Sequence, residues 1–66
     1  MKKVCLSREG EVDLCLDESL ELAGCLYLGD VGTVTKEWSA RDGSRFVDVK
    51  ANGEETTYSA EYVREA

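Results

Sequence analysis

Arg45-Phe46-Val47-Asp48-Val49-Lys50-Ala51-Asn52-Gly53-Glu54-Glu55-Thr56-Thr57-Tyr58-Ser59-Ala60 is the stretch that decides the fold. Two runs of alternating side chains flank Asn52-Gly53, and alternation of period two signals half-buried strands. Asn-Gly supplies the two positive φ values of a type I′ turn, the strongest short-range hairpin signal. A two-residue loop fixes the register: Ala51 faces Glu54, Lys50 faces Glu55, Val49 faces Thr56 and Val47 faces Tyr58. Val47, Val49 and Tyr58 then share one face. Lys50 and Glu55 meet on the other as an opposite-charge pair, worth about 0.2–1 kcal/mol. Beyond the hairpin, Ser59-Ala60-Glu61-Tyr62-Val63-Arg64 reads as a single 3₁₀ turn and a short edge strand.

Upstream, residues 31–39 read as the preceding strand, with Val34 and Trp38 on one face, and Arg41-Asp42-Gly43 turns it into the hairpin. Gly29-Asp30-Val31-Gly32 is a tight turn or bulge. Cys25-Leu26-Tyr27-Leu28 is a short apolar run that starts a strand or makes a bend. Residues 17–24 suit either an extended arm or one helical turn. At the N-terminus, residues 2–7 and 11–16 read as a second hairpin around Arg8-Glu9-Gly10, a three-residue loop with Gly in the left-handed position. That pairing sets Leu6 opposite Val12 and Val4 opposite Leu14, with Cys5 and Cys15 on the other face.

Short strands with turns every 8–12 residues or so indicate a small sandwich or barrel. The chain has 66 residues, too few to fill two complete sheets. The expected architecture is therefore all-β: a single domain over residues 1–66, built as a small barrel of five to six short antiparallel strands. Residues 1–25 would form the N-terminal hairpin and a long first loop. A chain this short buries only about 60% of its unfolded surface, so a modest stability is expected.

Composition narrows the function. Eight Lys and Arg stand against 14 Asp and Glu, giving a formal charge of −6 with no His. No stretch gathers three basic residues closely, and phosphate binding depends on such groups, so nucleic acid is an unexpected partner. Met1-Lys2-Lys3 begins like a signal peptide, but Ser7-Arg8-Glu9 interrupts before an apolar run of about 7–15 residues develops. No apolar run approaches the roughly 20 residues that span a bilayer. The expectation is a cytoplasmic chain without membrane association. Three cysteines, Cys5, Cys15 and Cys25, form neither an even set nor a C-x-x-C pair, which suits small apolar packing residues in a reducing compartment.

Catalytic chemistry finds little footing. Without His, Ser-His and Cys-His nucleophile pairs are impossible within the chain. The paired carboxylates Asp13/Asp17, Asp17/Glu18 and Glu54/Glu55 lack the cleft that would push two pKa values apart. Asp13, Asp17, Glu18 and Glu21 do not follow the spacing of a calcium loop. Gly29-Asp30-Val31-Gly32 lacks the Gly-Lys-Ser/Thr of a phosphate loop. No enzyme activity, metal or cofactor is expected.

Leu26-Tyr27-Leu28-Gly29-Asp30-Val31-Gly32-Thr33-Val34 resembles the G-D-x-G-T-V element of small SH3-like barrels, including KOW-type and Tudor-like modules and short bacterial domains of unknown function. Tyr58-Ser59-Ala60-Glu61-Tyr62-Val63 resembles their terminal turn, and the likeness spans about residues 26–64. It implies an SH3-like barrel, a scaffold that hosts many roles. KOW modules are usually basic, and peptide-binding SH3 domains carry an A-L-Y-x-Y element; this chain has neither feature. Residues 1–25 have no counterpart beyond the long first loop of SH3 barrels.

The aromatic residues offer the most specific candidate. Tyr58 falls on the core side, whereas Phe46 points away from it and can lie with Trp38 or Tyr27 beside Asp48. Such a groove suits a cationic side chain or a peptide. The function expected is non-catalytic protein–protein interaction through an aromatic groove of Trp38, Phe46 and Asp48 together with an acidic surface of Asp13, Asp17, Glu18 and Glu21. A basic protein partner would match that surface. A homodimer through an edge strand or the Cys25–Leu28 run stays open. So do a nucleic-acid- or ribosome-associated KOW-like role and an acidic decoy of a nucleic-acid-binding protein.

Overall fold

The computed structural model describes residues 2–14 and 24–66. Strand β1 (Lys3–Leu6) is followed by a short helix, α1 (Arg8–Leu14). Strands β2 (Gly32–Ser39), β3 (Arg45–Ala51) and β4 (Glu54–Ser59) come next, then a 3₁₀ turn (Ala60–Tyr62) and β5 (Val63–Glu65). The five strands form one antiparallel sheet in the order β4-β3-β2-β1-β5, so the protein is an all-β domain with one helix among the described residues.

The central hairpin has the register its sequence dictates. Ala51 pairs with Glu54, Lys50 with Glu55, Val49 with Thr56 and Val47 with Tyr58. Asn52 and Gly53 hold φ values of 53° and 77°. Val47, Val49 and Tyr58 are buried, and Val4, Leu6, Cys25 and Leu26 complete the core. A lone sheet leaves one face wet unless something covers it. Here residues 24–26 lie over β3 and β4. The Cys25 and Leu26 amides donate to the Thr56 hydroxyl (3.0 Å) and the Tyr58 hydroxyl (2.9 Å). Asn52 locks this cover from the turn: its side-chain amide donates to the Cys25 carbonyl (2.9 Å) and to Asp30 (2.8 Å).

Tyr58 gives this core a pH signature. Burial is the main reason its phenol is pushed from the ordinary 10.0 up to about 12. The fold therefore holds the neutral form. That contribution is whole below pH 10 and is lost as pH rises toward 12. Urea midpoints measured between about pH 9 and 12 should fall steeply for the native chain and less for Tyr58→Phe. Parallel curves for the two would mean that Tyr58 ionises as freely folded as unfolded.

The N-terminal hairpin does not form. Residues 8–14 are helical, and β1 pairs instead with β2 (Val4 opposite Gly32) and with β5 (Val4 opposite Glu65, Leu6 opposite Val63). Leu6–Val12 and Val4–Leu14 are therefore not pairs. Ser7 explains the difference. Its hydroxyl accepts the Gly10 amide (3.1 Å) and its carbonyl accepts the Glu11 amide (2.9 Å), the geometry of a helix N-cap. Glu9 and Glu11 in the first turn favour the positive end of the helix. Gly10 serves contact rather than a left-handed turn: a Cβ there would lie 2.2 Å from the Tyr62 carbonyl oxygen. Ser7 also donates its amide to Tyr62 (2.9 Å) and its hydroxyl to the Glu61 carbonyl (2.6 Å), fastening α1 to the 3₁₀ turn. Cys15 and the 17–23 part of the ambiguous segment lie outside the described residues.

Candidate functional site

A register shift between Val34 and Lys36 creates the site. Val34 pairs with Val49 on the core side, but Lys36 then pairs with Asp48, Glu37 with Val47 and Trp38 with Phe46. Thr35 is the extra residue of a β-bulge, a device that re-aims the side chains beyond it. Val34 and Trp38 consequently do not share a face. Trp38 turns outward, and Glu37 takes the place opposite Val47. The Thr35 hydroxyl holds the bulge by sharing its proton between the Asp48 carbonyl (3.3 Å) and the Glu55 carboxylate (3.2 Å).

The outward turn brings Trp38 onto Phe46. Their ring centroids lie 4.6 Å apart with an interplanar angle of 24°. Asp48 positions the pair: its Oδ1 accepts the Trp38 indole N–H (3.1 Å) and the Thr57 hydroxyl (2.7 Å). Those two bonds, with the charge of Lys36 adding to them, hold the Asp48 carboxyl below the ordinary aspartate range. Asp48 therefore stays ionised, and the indole keeps its orientation, into more acid solution than an isolated aspartate would allow. Trp38 remains 38% exposed. The stacked rings border a cavity of about 140 Å³ that also touches Glu37, Ser39, Arg45, Val47 and Ala60.

Charge beside the rings is balanced. Lys36 and Asp48 face each other, as do Lys50 and Glu55. The acidic residues expected to join the groove do not all do so. Asp13 stands on α1 beside Tyr62, whose phenol its negative charge pushes up, and it does not line the cavity beside Trp38. Asp17, Glu18 and Glu21 lie outside the described residues. Tyr27 is exposed at the turn before β2 and does not line that cavity either. Cys25 and Leu26 are fully buried, so only Tyr27 and Leu28 of that apolar run meet solvent.

The bulge and the bond from the Trp38 indole to Asp48 escaped the sequence, because Thr35 is an ordinary strand residue that carries no sign of a bulge. Among the described residues no three Cys, Asp or Glu side chains gather to hold a metal ion. No helix among them is long and apolar enough to cross a membrane. Comparison with known proteins returns no match to a family model, to a curated protein or to a solved structure.

Proposed function

We propose that the chain is an SH3-like barrel acting as a non-catalytic protein–protein interaction module, with Trp38 as its anchor. The strand order, with a 3₁₀ turn between β4 and β5 and a long connection from β1 to β2, supports the barrel assignment. The observation that carries the function is the exposed indole stacked on Phe46 and hydrogen-bonded to Asp48. An aromatic side chain already fixed in one orientation loses little entropy on binding, and such residues dominate interface energetics. Because the charges beside it are balanced, the ledge suits an apolar or aromatic side chain of the partner. The net charge of −6 acts at longer range, through Asp13, Asp17, Glu18 and Glu21, to attract a basic partner.

Affinity capture from native extract followed by mass spectrometry tests this. Trp38→Ala is expected to weaken recovery of the specific partner at least about tenfold, the effect of losing an interface anchor. Asp48→Asn should weaken it less, because its side chain still offers an acceptor to the indole. Retention of the partner by Trp38→Ala, or recovery of nucleic acid in place of protein, would overturn the proposal.

A further inference from the structure

Strand β4 is one edge of the sheet and β5 is the other. β5 has three residues, and so short an edge is a poor template for a further strand. β4 has six, with no Pro, no Lys and no register shift against β3. The two-residue Asn52-Gly53 turn makes Ala51 and Glu54 a hydrogen-bonded pair, so the backbone groups of Glu54, Thr56 and Tyr58 point at β3. Those of Glu55, Thr57 and Ser59 point away from it, and no backbone bond takes them up among the described residues. The side chains of Glu55 and Thr57 are drawn across the sheet instead of over this edge. The Glu55 carboxylate accepts from Thr35 on β2 (3.2 Å), and the Thr57 hydroxyl donates to Asp48 on β3 (2.7 Å). The outer rim of β4 is thus a row of backbone donors and acceptors with the spacing of a strand.

We infer that β4 pairs antiparallel with β4 of a second copy of this chain, centred on Thr57. Two antiparallel strands exchange both bonds only where outward-pointing residues meet. With Thr57 opposite Thr57, each Glu55 lies opposite the second copy's Ser59, and every outward group of the strand is used. The charges select the same register. Sliding the hairpin ends together would oppose Glu55 to Glu55, and like charges directly opposite are destabilising. Centred on Thr57, each Glu55 carboxylate meets a serine hydroxyl, a hydrogen-bond donor. β4 is therefore complementary to itself, which is what a two-fold contact between identical chains requires. The two five-stranded sheets then run on as one, with both Trp38–Phe46 ledges on the same face. A chain of 66 residues also gains stability from such a contact. The inference goes beyond the docking role of Trp38 and does not depend on it.

Amide hydrogen exchange of the full chain at about 20 µM and at about 1 mM, with sedimentation velocity over the same range, tests the pairing. A dimer with a Kd of about 10–100 µM is expected, the strength of a narrow, largely main-chain contact. The amides of Glu55, Thr57 and Ser59 should exchange at least about threefold more slowly at the higher concentration. Those of Glu54, Thr56 and Tyr58, already bonded to β3, should not change. Ser59 holds φ −62° and ψ 139°, angles that proline adopts, so Ser59→Pro removes an outward donor and keeps the strand. It should weaken dimerisation at least about tenfold, whereas Ser59→Ala should stay within about threefold of the native chain. Trp38→Ala should dimerise as the native chain does, so failure of the ledge and failure of the edge are separately visible. The exchange pattern of the native chain decides the matter even where a variant folds poorly. A chain that stays monomeric at about 1 mM, slowed exchange confined to other amides, or native association by folded Ser59→Pro would overturn the inference. So would protection of the three amides by another protein of native extract at about 20 µM chain, since β4 then receives that protein's strand in place of its own copy.

Discussion

Leu26→Ala is expected to leave the chain largely unfolded at physiological temperature. Leu26 is fully buried, with Gly32 against its side chain: a Cβ on that glycine would come within 3.0 Å of Leu26 Cδ2. Removing a buried leucine to its Cβ costs about 2–5 kcal/mol. A domain of this length is stable by only about 3–10 kcal/mol in total. The loss also reaches beyond the cavity. The Leu26 amide anchors to the Tyr58 hydroxyl, and the Cys25 amide to Thr56, so loosening this segment uncovers the core face of β3 and β4. Leu28, two residues away and 55% exposed, is the control: Leu28→Ala should stay within about 0.5 kcal/mol of the native chain. Urea titration followed by Trp38 fluorescence reads both. Equal stabilities of the two variants would show that the core is not centred on Leu26.

Gly10→Ala is the second large effect, and its sign is informative. In an exposed helix this substitution stabilises by about 1 kcal/mol, because alanine favours the helix. Here the new methyl group would meet the Tyr62 carbonyl oxygen at 2.2 Å, with the Tyr62 carbonyl carbon at 3.0 Å. Backbone atoms cannot rotate aside as a side chain does, so α1 must move away from the 3₁₀ turn. That movement stretches the two bonds from Ser7 to Glu61 and Tyr62. Overpacking of this kind costs about 1–3 kcal/mol, and each lost hydrogen bond about 1 kcal/mol. The expected net result is a destabilisation of about 2–3 kcal/mol, or a fall in Tm of roughly 10 °C or more for a domain this small. Val12→Ala, at a 54% exposed position on the same helix, should change little. A rise in Tm for Gly10→Ala would show that α1 does not pack on the 3₁₀ turn.

What was legible in the sequence follows the range of the interactions. The β3–β4 hairpin could be read residue by residue because turn chemistry, alternation and pairing all act within a few positions of Asn52-Gly53. The tail could be read too, as a 3₁₀ turn and an edge strand. The N-terminal error has the opposite origin. Val4 and Leu6 alternate as a strand should, but their partners include Glu65 and Val63, almost the whole chain away. Val12 and Leu14 offered a nearer and false complement. Ser7 followed by Glu9 and Glu11 is a helix-start pattern, and Gly10 hid it by suggesting a loop. The site was half visible. Trp38, Phe46 and Asp48 were brought together correctly, whereas alternation alone put Trp38 on the side of Val34. An added residue in a strand leaves no periodic trace.

The asparagine at the tip of the β3–β4 hairpin also ties down Cys25 and Asp30. A residue chosen for its backbone angles thereby joins two distant parts of the chain with one side-chain amide. Aspartate tolerates the same backbone shape, yet it would place a carboxylate against the Cys25 carbonyl and the Asp30 carboxylate. The hairpin would survive that exchange while its latch reversed from attraction to repulsion. Local shape and long-distance fastening are thus separable properties of a single position, and a mutation can abolish one without touching the other.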